Sequence, residues 1–218
     1  VIRNNLAVDE GDAFNDLLNQ KSINNLKSLN FFRNIDSKID NGSSSGSKII
    51  TITVEEKPTG EISAGAGIGT NGGTLALGVT ENNFLGRGIE FGSNLTLSEE
   101  SIKGLFSMTN PNFQGTGRSL AVRAESIITD RLTSFGYKSN KTGASIASGF
   151  EYYNDIFLNT GVSAYAETIE SDSTASQSIQ NQRGSFFDTY LNYTIDYDKR
   201  DQRFQPSDGF RSRFTQNI

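Results

Sequence analysis

The sequence predicts a mainly β chain, in which a short α/β region precedes the long antiparallel strands of a membrane-spanning barrel. Three observations predict it. From residue 61 onward apolar and polar residues alternate with a period of two, the mark of strands with one apolar face. The composition sets 22 Gly, 15 Phe and 7 Tyr beside only 34% hydrophobic residues, where an ordinary globular chain carries roughly 45–50%. The connections also alternate, compact turns containing an aromatic at one end and longer polar stretches at the other, as in barrels that cross an outer membrane.

The 218 residues allow one or two domains, and the composition shifts near Pro58. Residues 1–8 read as the end of a helix. Glu10-Gly11-Asp12 is a break, and Asp12 is expected to cap the next helix by accepting a free N–H. Phe14, Leu17, Leu18, Leu26 and Leu29 recur at helical spacing, so this stripe is expected to pack. Residues 31–39 and 49–55 read as two strands joined by the flexible loop Asp40-Asn41-Gly42-Ser43-Ser44-Ser45-Gly46-Ser47. Helix, helix and hairpin make a small α/β module over 1–57, expected to lack its first strand. Lys57-Pro58-Thr59-Gly60 forms the junction. Val1 is not an initiator residue, so a fragment of a longer chain is expected.

Past the junction the alternation marks successive strands. Ile62, Ala64, Ala66 and Ile68 begin the series, then Leu75, Leu77 and Val79, then Ile89, Phe91, Leu95 and Leu97. Ile102, Phe106 and Met108 follow, then Leu120, Val122, Ala124 and Ile128 opposite Arg123 and Glu125. Ala144, Ile146 and Phe150 precede Ile156, Leu158, Val162 and Ala164. Phe187, Leu191, Tyr193, Ile195 and Tyr197 oppose Asp188, Asn192, Thr194, Asp196 and Asp198. Phe210 and Phe214 open a last strand with Arg211 and Arg213 on its other face. These are about nine strands of roughly 8–12 residues, a length that suits a tilted crossing of hydrocarbon and exceeds the strands of a soluble sandwich. The turns 82–88 and 110–117 are compact, whereas 129–142 and 169–185 read as long polar loops. A soluble β-sandwich with a helical appendage is the competing fold.

Several function classes fall away. The chain has no Cys and no His, which removes disulfides, thiolate zinc and Ser–His–Asp or Cys–His catalysis. A net charge of −5 gives no reason to expect nucleic acid. No run of about 18 apolar residues reads as a membrane helix. Gly67-Ile68-Gly69-Thr70-Asn71-Gly72 matches G-x-G-x-x-G, but a strand pattern follows where a dinucleotide site needs a helix. Asp196, Asp198, Asp201 and Asp208 lie near Arg200 and Arg203. They lack the spacing of a calcium loop, so a turn of mutually paired charges is expected. No catalytic constellation, metal or cofactor is expected, and the protein reads as a non-enzyme.

A family resemblance runs through nearly the whole chain. Glu10-Gly11-Asp12-Ala13-Phe14-Asn15, Leu29-Asn30-Phe31-Phe32-Arg33-Asn34-Ile35 and Glu55-Glu56-Lys57-Pro58-Thr59-Gly60 resemble the last POTRA domain of Omp85-type proteins and its junction with the barrel. Asn82-Asn83-Phe84-Leu85-Gly86-Arg87-Gly88, Thr109-Asn110-Pro111-Asn112-Phe113, Asp196-Tyr197-Asp198-Lys199-Arg200-Asp201 and Pro206-Ser207-Asp208-Gly209-Phe210 resemble that family's barrel turns. The likeness is to its outer-membrane assembly factors. It implies a POTRA domain over 1–57, and over 60–218 the first half of a barrel of about sixteen strands. The family's Arg-Gly-Phe loop lies outside the sequence. The implied function is folding and insertion of β-barrel clients, with an Omp85-type secretion pore as the alternative. The implied partners are unfolded outer-membrane clients, lipoproteins of an assembly complex, periplasmic chaperones and the lipid bilayer. The implied location is the outer membrane, with the N-terminal domain in the periplasm.

The resemblance directs attention to the first barrel strand, Glu61, Ile62, Ser63, Ala64, Gly65, Ala66, Gly67, Ile68, Gly69 and Thr70. Its Gly and Ala content leaves packing weak and register loosely fixed. An open edge here would offer unpaired N–H and C=O groups to a client strand by β-augmentation.

Overall fold

The computed structural model describes residues 1–44, 46–69, 72–201 and 206–218. The chain divides into two compact units, residues 1–60 with 82–88, and residues 61–81 with 89–218.

The first unit holds helix α1 (Asp16–Ser28) and the hairpin of β1 (Phe32–Asn41) and β2 (Lys48–Glu56). The strands pair antiparallel with Ile39 opposite Ile50, and Gly42 N donates to Ser47 O at 2.8 Å across the loop. Residues 1–8 are not a helix end; they hold one 3-10 turn, Arg3–Asn5. Asp12 does not cap α1. Its carboxylate accepts Asp9 N at 2.9 Å and closes its own turn, while Asn15 caps the helix by accepting Leu17 N and Leu18 N. The packed face also differs from the expected apolar stripe. Leu17 is 79% exposed, and Phe14 and Leu18 are exposed too, whereas Asn19, Ser22, Ile23 and Leu26 are buried. The cause lies in the non-helical segment laid on α1, whose backbone groups need partners. Ser22 Oγ accepts Ala7 N at 2.8 Å, and Asn25 Nδ2 donates to Asn5 O at 3.1 Å. Polar side chains therefore take positions that periodicity gives to leucine.

The second unit is an antiparallel meander of nine strands: β3 (Gly60–Gly69), β4 (Gly72–Phe84), β5 (Ile89–Ser98), β6 (Ser101–Asn110), β7 (Ser119–Arg131), β8 (Tyr137–Tyr153), β9 (Ile156–Ser171), β10 (Gly184–Asp198) and β11 (Arg211–Asn217). Their order in the sheet is their order in the chain, with β3 and β11 at the two ends. Directly paired residues share a face, so the register sorts the side chains. One row runs Phe91, Met108, Val122, Ile146, Val162, Leu191. The neighbouring row on the other face runs Gly92, Ser107, Arg123, Ser145, Ser163, Tyr190. Among the described residues Ala175 is the one apolar residue of this unit that is buried, while Ile146, Val162 and Leu191 stand 44–52% exposed. A continuous apolar face of this extent calls for a non-aqueous partner. No helix among the described residues is long and apolar enough to cross a membrane.

Strand lengths depart from the expected range. β8, β9 and β10 have 17, 16 and 15 residues. The stretch 129–142 is not a long loop. β7 continues to Arg131, the single turn α2 (Leu132–Phe135) follows, and β8 starts at Tyr137, with Thr129 opposite Ser139. Ladder bonds are made by backbone, so pairing continues through the polar run Asp130, Lys138 and Glu170. The stretch 172–183 is a true loop carrying α3 (Gln177–Asn181). There Asp172 accepts Thr174 N and Oγ1 at 2.7 and 2.6 Å, which holds its carboxyl below the usual range. With 129–142 largely strand, strand length and not loop asymmetry carries the barrel assignment.

Candidate functional site: the open edge of the sheet

The strand singled out by sequence is β3, at one end of the sheet. Glu61 to Gly69 all lie in it, and Thr70 falls outside the described residues. One side of β3 pairs with β4; the other has no strand beside it among the described residues. All ten residues of β3 are exposed, with Ile62 at 84% and Ile68 at 95%. Its alternation holds at the point where neighbours can be checked. A Cβ on Gly78 of β4 would lie 2.6 Å from Ser63 Oγ and 2.8 Å from Asn94 Oδ1. Ser63 and Asn94 thus converge over Gly78 on the polar face, and only a bare residue leaves them room.

The other end of the sheet is chemically different. Asp196, 6% exposed, accepts Arg211 Nε at 2.8 Å and Arg213 Nη2 at 2.7 Å. Arg200 Nε donates to Asp198 at 2.7 Å. Asp201 accepts Ser207 N and Oγ. The acidic residues near Arg200 are therefore engaged by guanidinium and backbone donors, as expected for paired charges. Arg203 lies outside the described residues. No cluster of three metal-ligating side chains occurs among the described residues. Charged side chains on an edge strand oppose pairing; β11 carries Arg211 and Arg213, whereas Glu61 is the one charged residue of β3.

The G-x-G-x-x-G match resolves as strand. Gly67 and Gly69 belong to β3, β4 starts at Gly72, and Asn71 lies outside the described residues. No helix N-terminus follows to hold a pyrophosphate. Arg123 and Glu125 do share the polar face and pair at 3.3 Å. Two groupings escaped sequence reading. Lys141 Nζ sits 4.8 Å from the centre of the Tyr165 ring, which lies 6.2 Å from Tyr190. Glu99 of the β5–β6 turn accepts Gly73 N at 3.1 Å. Both depend on strand register, and only the Gly72-Gly73 doublet hints at the second.

The Omp85 superfamily domain model matches residues 83–218. Among solved structures, BamA from Haemophilus ducreyi lacking POTRA domains 1–3 matches with a TM-score of 0.74 at 20% identity, covering 98% of this chain and 44% of that one. CdiB from Escherichia coli matches with a TM-score of 0.54 at 13% identity, over 96% of this chain and 40% of that one. CdiB from Acinetobacter baumannii gives 0.50 at 11% identity, over 98% and 42%. The chain thus spans less than half the length of each matched structure.

Proposed function

The chain belongs to the Omp85 superfamily, and from that premise we propose that it is part of an outer-membrane assembly factor that folds and inserts β-barrel clients. The observation that carries this reading is the exposed outer side of β3, a strand rich in Gly and Ala at the end of a long apolar-faced sheet. In hydrocarbon its backbone groups need partners. A client strand supplies them by augmentation, with main-chain bonds giving most of the affinity. No bond of the client is made or broken, so the activity is not enzymatic and needs no cofactor. The N-terminal unit reads as a POTRA domain, supported by a likeness to BamA that covers 98% of this chain. Lipoprotein partners and periplasmic chaperones would meet that unit, and lipid the apolar face.

The direct test is a photoreactive residue at Ser63 or Gly65 of the full-length protein. Crosslinks to a β-barrel client during its insertion are the expected result. Crosslinks absent from β3 but present on the polar face would favour the second reading, an Omp85-type secretion pore. That reading draws on the charged side chains of the polar face, Arg123 paired with Glu125 and Lys141 over the Tyr165 ring, which suit a water-filled passage.

The reading also fixes orientation. Ser134 in α2 and Ser176 before α3 lie at the same end of the strands, because Arg131 pairs with Tyr137 and Ile169 with Gly184. Cysteine at either position is expected to label from outside intact cells. Labelling only after the outer membrane is opened would invert the topology.

A further inference from the structure

The turn between β5 and β6 consists of two glutamates with separate duties. Glu100 is anchored toward β7 and α2. Its carboxylate lies 2.8 Å from Arg131 Nε and accepts Ser134 Oγ at 2.7 Å, and its carbonyl accepts Asp130 N at 2.8 Å. Arg131 in turn stacks over the Phe135 ring at 5.5 Å. Glu99 reaches the other way, to the first residues of β4. It accepts Gly73 N at 3.1 Å. A Cβ on Gly72, whose φ is +85°, would lie 2.3 Å from Glu99 Cδ and 2.5 Å from both carboxylate oxygens. The carboxylate therefore rests on bare backbone, in space that any other residue at 72 would fill.

We propose that Glu99 is a latch on the β3–β4 hairpin, and that release of this latch governs how readily β3 accepts a partner strand; the second half rests on the reading of β3 as the pairing strand. The hairpin is the end of the sheet, and ends of sheets open first because fewer contacts hold them. Ladder bonds to β5 restrain β4. The start of β4 gains an additional tie through Glu99, and a carboxylate acceptor makes the stronger kind of hydrogen bond. Glu100 makes that tie effective. Without its hold on Arg131 and Ser134, the turn that carries Glu99 would move with the hairpin. The outward contact and the inward anchor are adjacent residues, so the first hairpin is tethered to β7 and α2 through one two-residue turn.

The test is hydrogen–deuterium exchange by mass spectrometry on the full-length protein in lipid nanodiscs, with client insertion measured in parallel. Glu99→Ala and Gly72→Ala should each speed exchange in residues 60–80 by at least roughly ten-fold, the scale of one net hydrogen bond to a charged group. Exchange over residues 137–171 should not change, and heat-modifiable migration confirms a folded barrel. Glu99→Ala should add nothing on top of Gly72→Ala, which removes the same contact and also carries the strain of a side chain at φ +85°. Insertion should quicken in the same variants. Additive effects, exchange within about two-fold of wild type, or equal acceleration over 137–171 would overturn the latch. Faster hairpin exchange with unchanged insertion would overturn its control of β3. That result leaves the pairing reading to be judged by crosslinking at Ser63 and Gly65.

Discussion

Proline in β3 of the full-length protein is expected to abolish client insertion from whichever alternate set turns its N–H groups to the open edge, Ala64 and Ala66 or Ser63 and Gly65. Successive residues of a strand point their backbone groups to opposite sides. One set therefore bonds β4 and the other faces the space beyond β3. Proline in the first set breaks the sheet's own ladder, and heat-modifiable migration on a gel should reveal a weakened barrel. Proline in the second removes a donor that nothing in the described sheet uses. The barrel should then fold normally. A client strand paired there keeps a carbonyl without a partner in hydrocarbon, a loss of several kcal/mol, so insertion should fall at least roughly a hundredfold. Ala66→Val, which keeps the donor and adds two methyl groups to an exposed face, should be mild. A folded proline variant of the edge-facing set that inserts clients at the normal rate would refute augmentation, and passage along the polar face would gain.

The second large effect concerns the apolar face. Leu191→Arg and Leu95→Arg should block assembly far more than Asn192→Arg and Asn94→Arg, although each pair differs by one position. Leu191 ends the row Met108, Val122, Ile146, Val162, and Leu95 lies on the same side of β5 as Phe91. An arginine facing lipid near the midplane costs about 2–4 kcal/mol. Asn94 and Asn192 lie on the polar face, where Asn192 Oδ1 would stand 2.9 Å from a Cβ on Gly161. A guanidinium there can extend over bare backbone toward water. The measurement is the folded fraction in liposomes as urea is raised. Equal losses on both faces would contradict the assignment of the two faces.

Much of the sheet is legible in the sequence. Each of the nine strands carries its own period-two pattern, and alternation is a local property that needs no knowledge of neighbours. Arg123 with Glu125 was legible for the same reason, since strand parity alone gives them one face; the pairing of Asp196 with Arg211 and Arg213 was not, because it needs the register of β10 against β11. The first unit was less legible. Its helix buries Asn19 and Ser22 because the segment before it needs side-chain partners, and that requirement arises only when the two meet. The extent of β7 and β8 is not legible in the sequence, because polar residues read as loop while hydrogen bonding ignores side-chain polarity. For the site, composition showed that β3 is thinly packed. That β3 ends the sheet is a fact about strand order, which no local pattern encodes. The grip of Glu99 on Gly73 was hidden similarly, behind the order that puts one turn beside another.

Strict pairing across neighbouring strands has a consequence for how the gene can change. A substitution alters one side chain, whereas one added or deleted codon inside a strand exchanges the two faces for every residue up to the next turn. Point changes can therefore accumulate freely, provided each keeps the polarity of its face, which accommodates a TM-score of 0.74 beside 20% identity. Changes of length are confined to the turns and to the register shift between Glu151 and Tyr153, where β8 already accommodates an unpaired residue. Lineages of this protein should differ widely in spelling and hardly at all in the number of letters between turns.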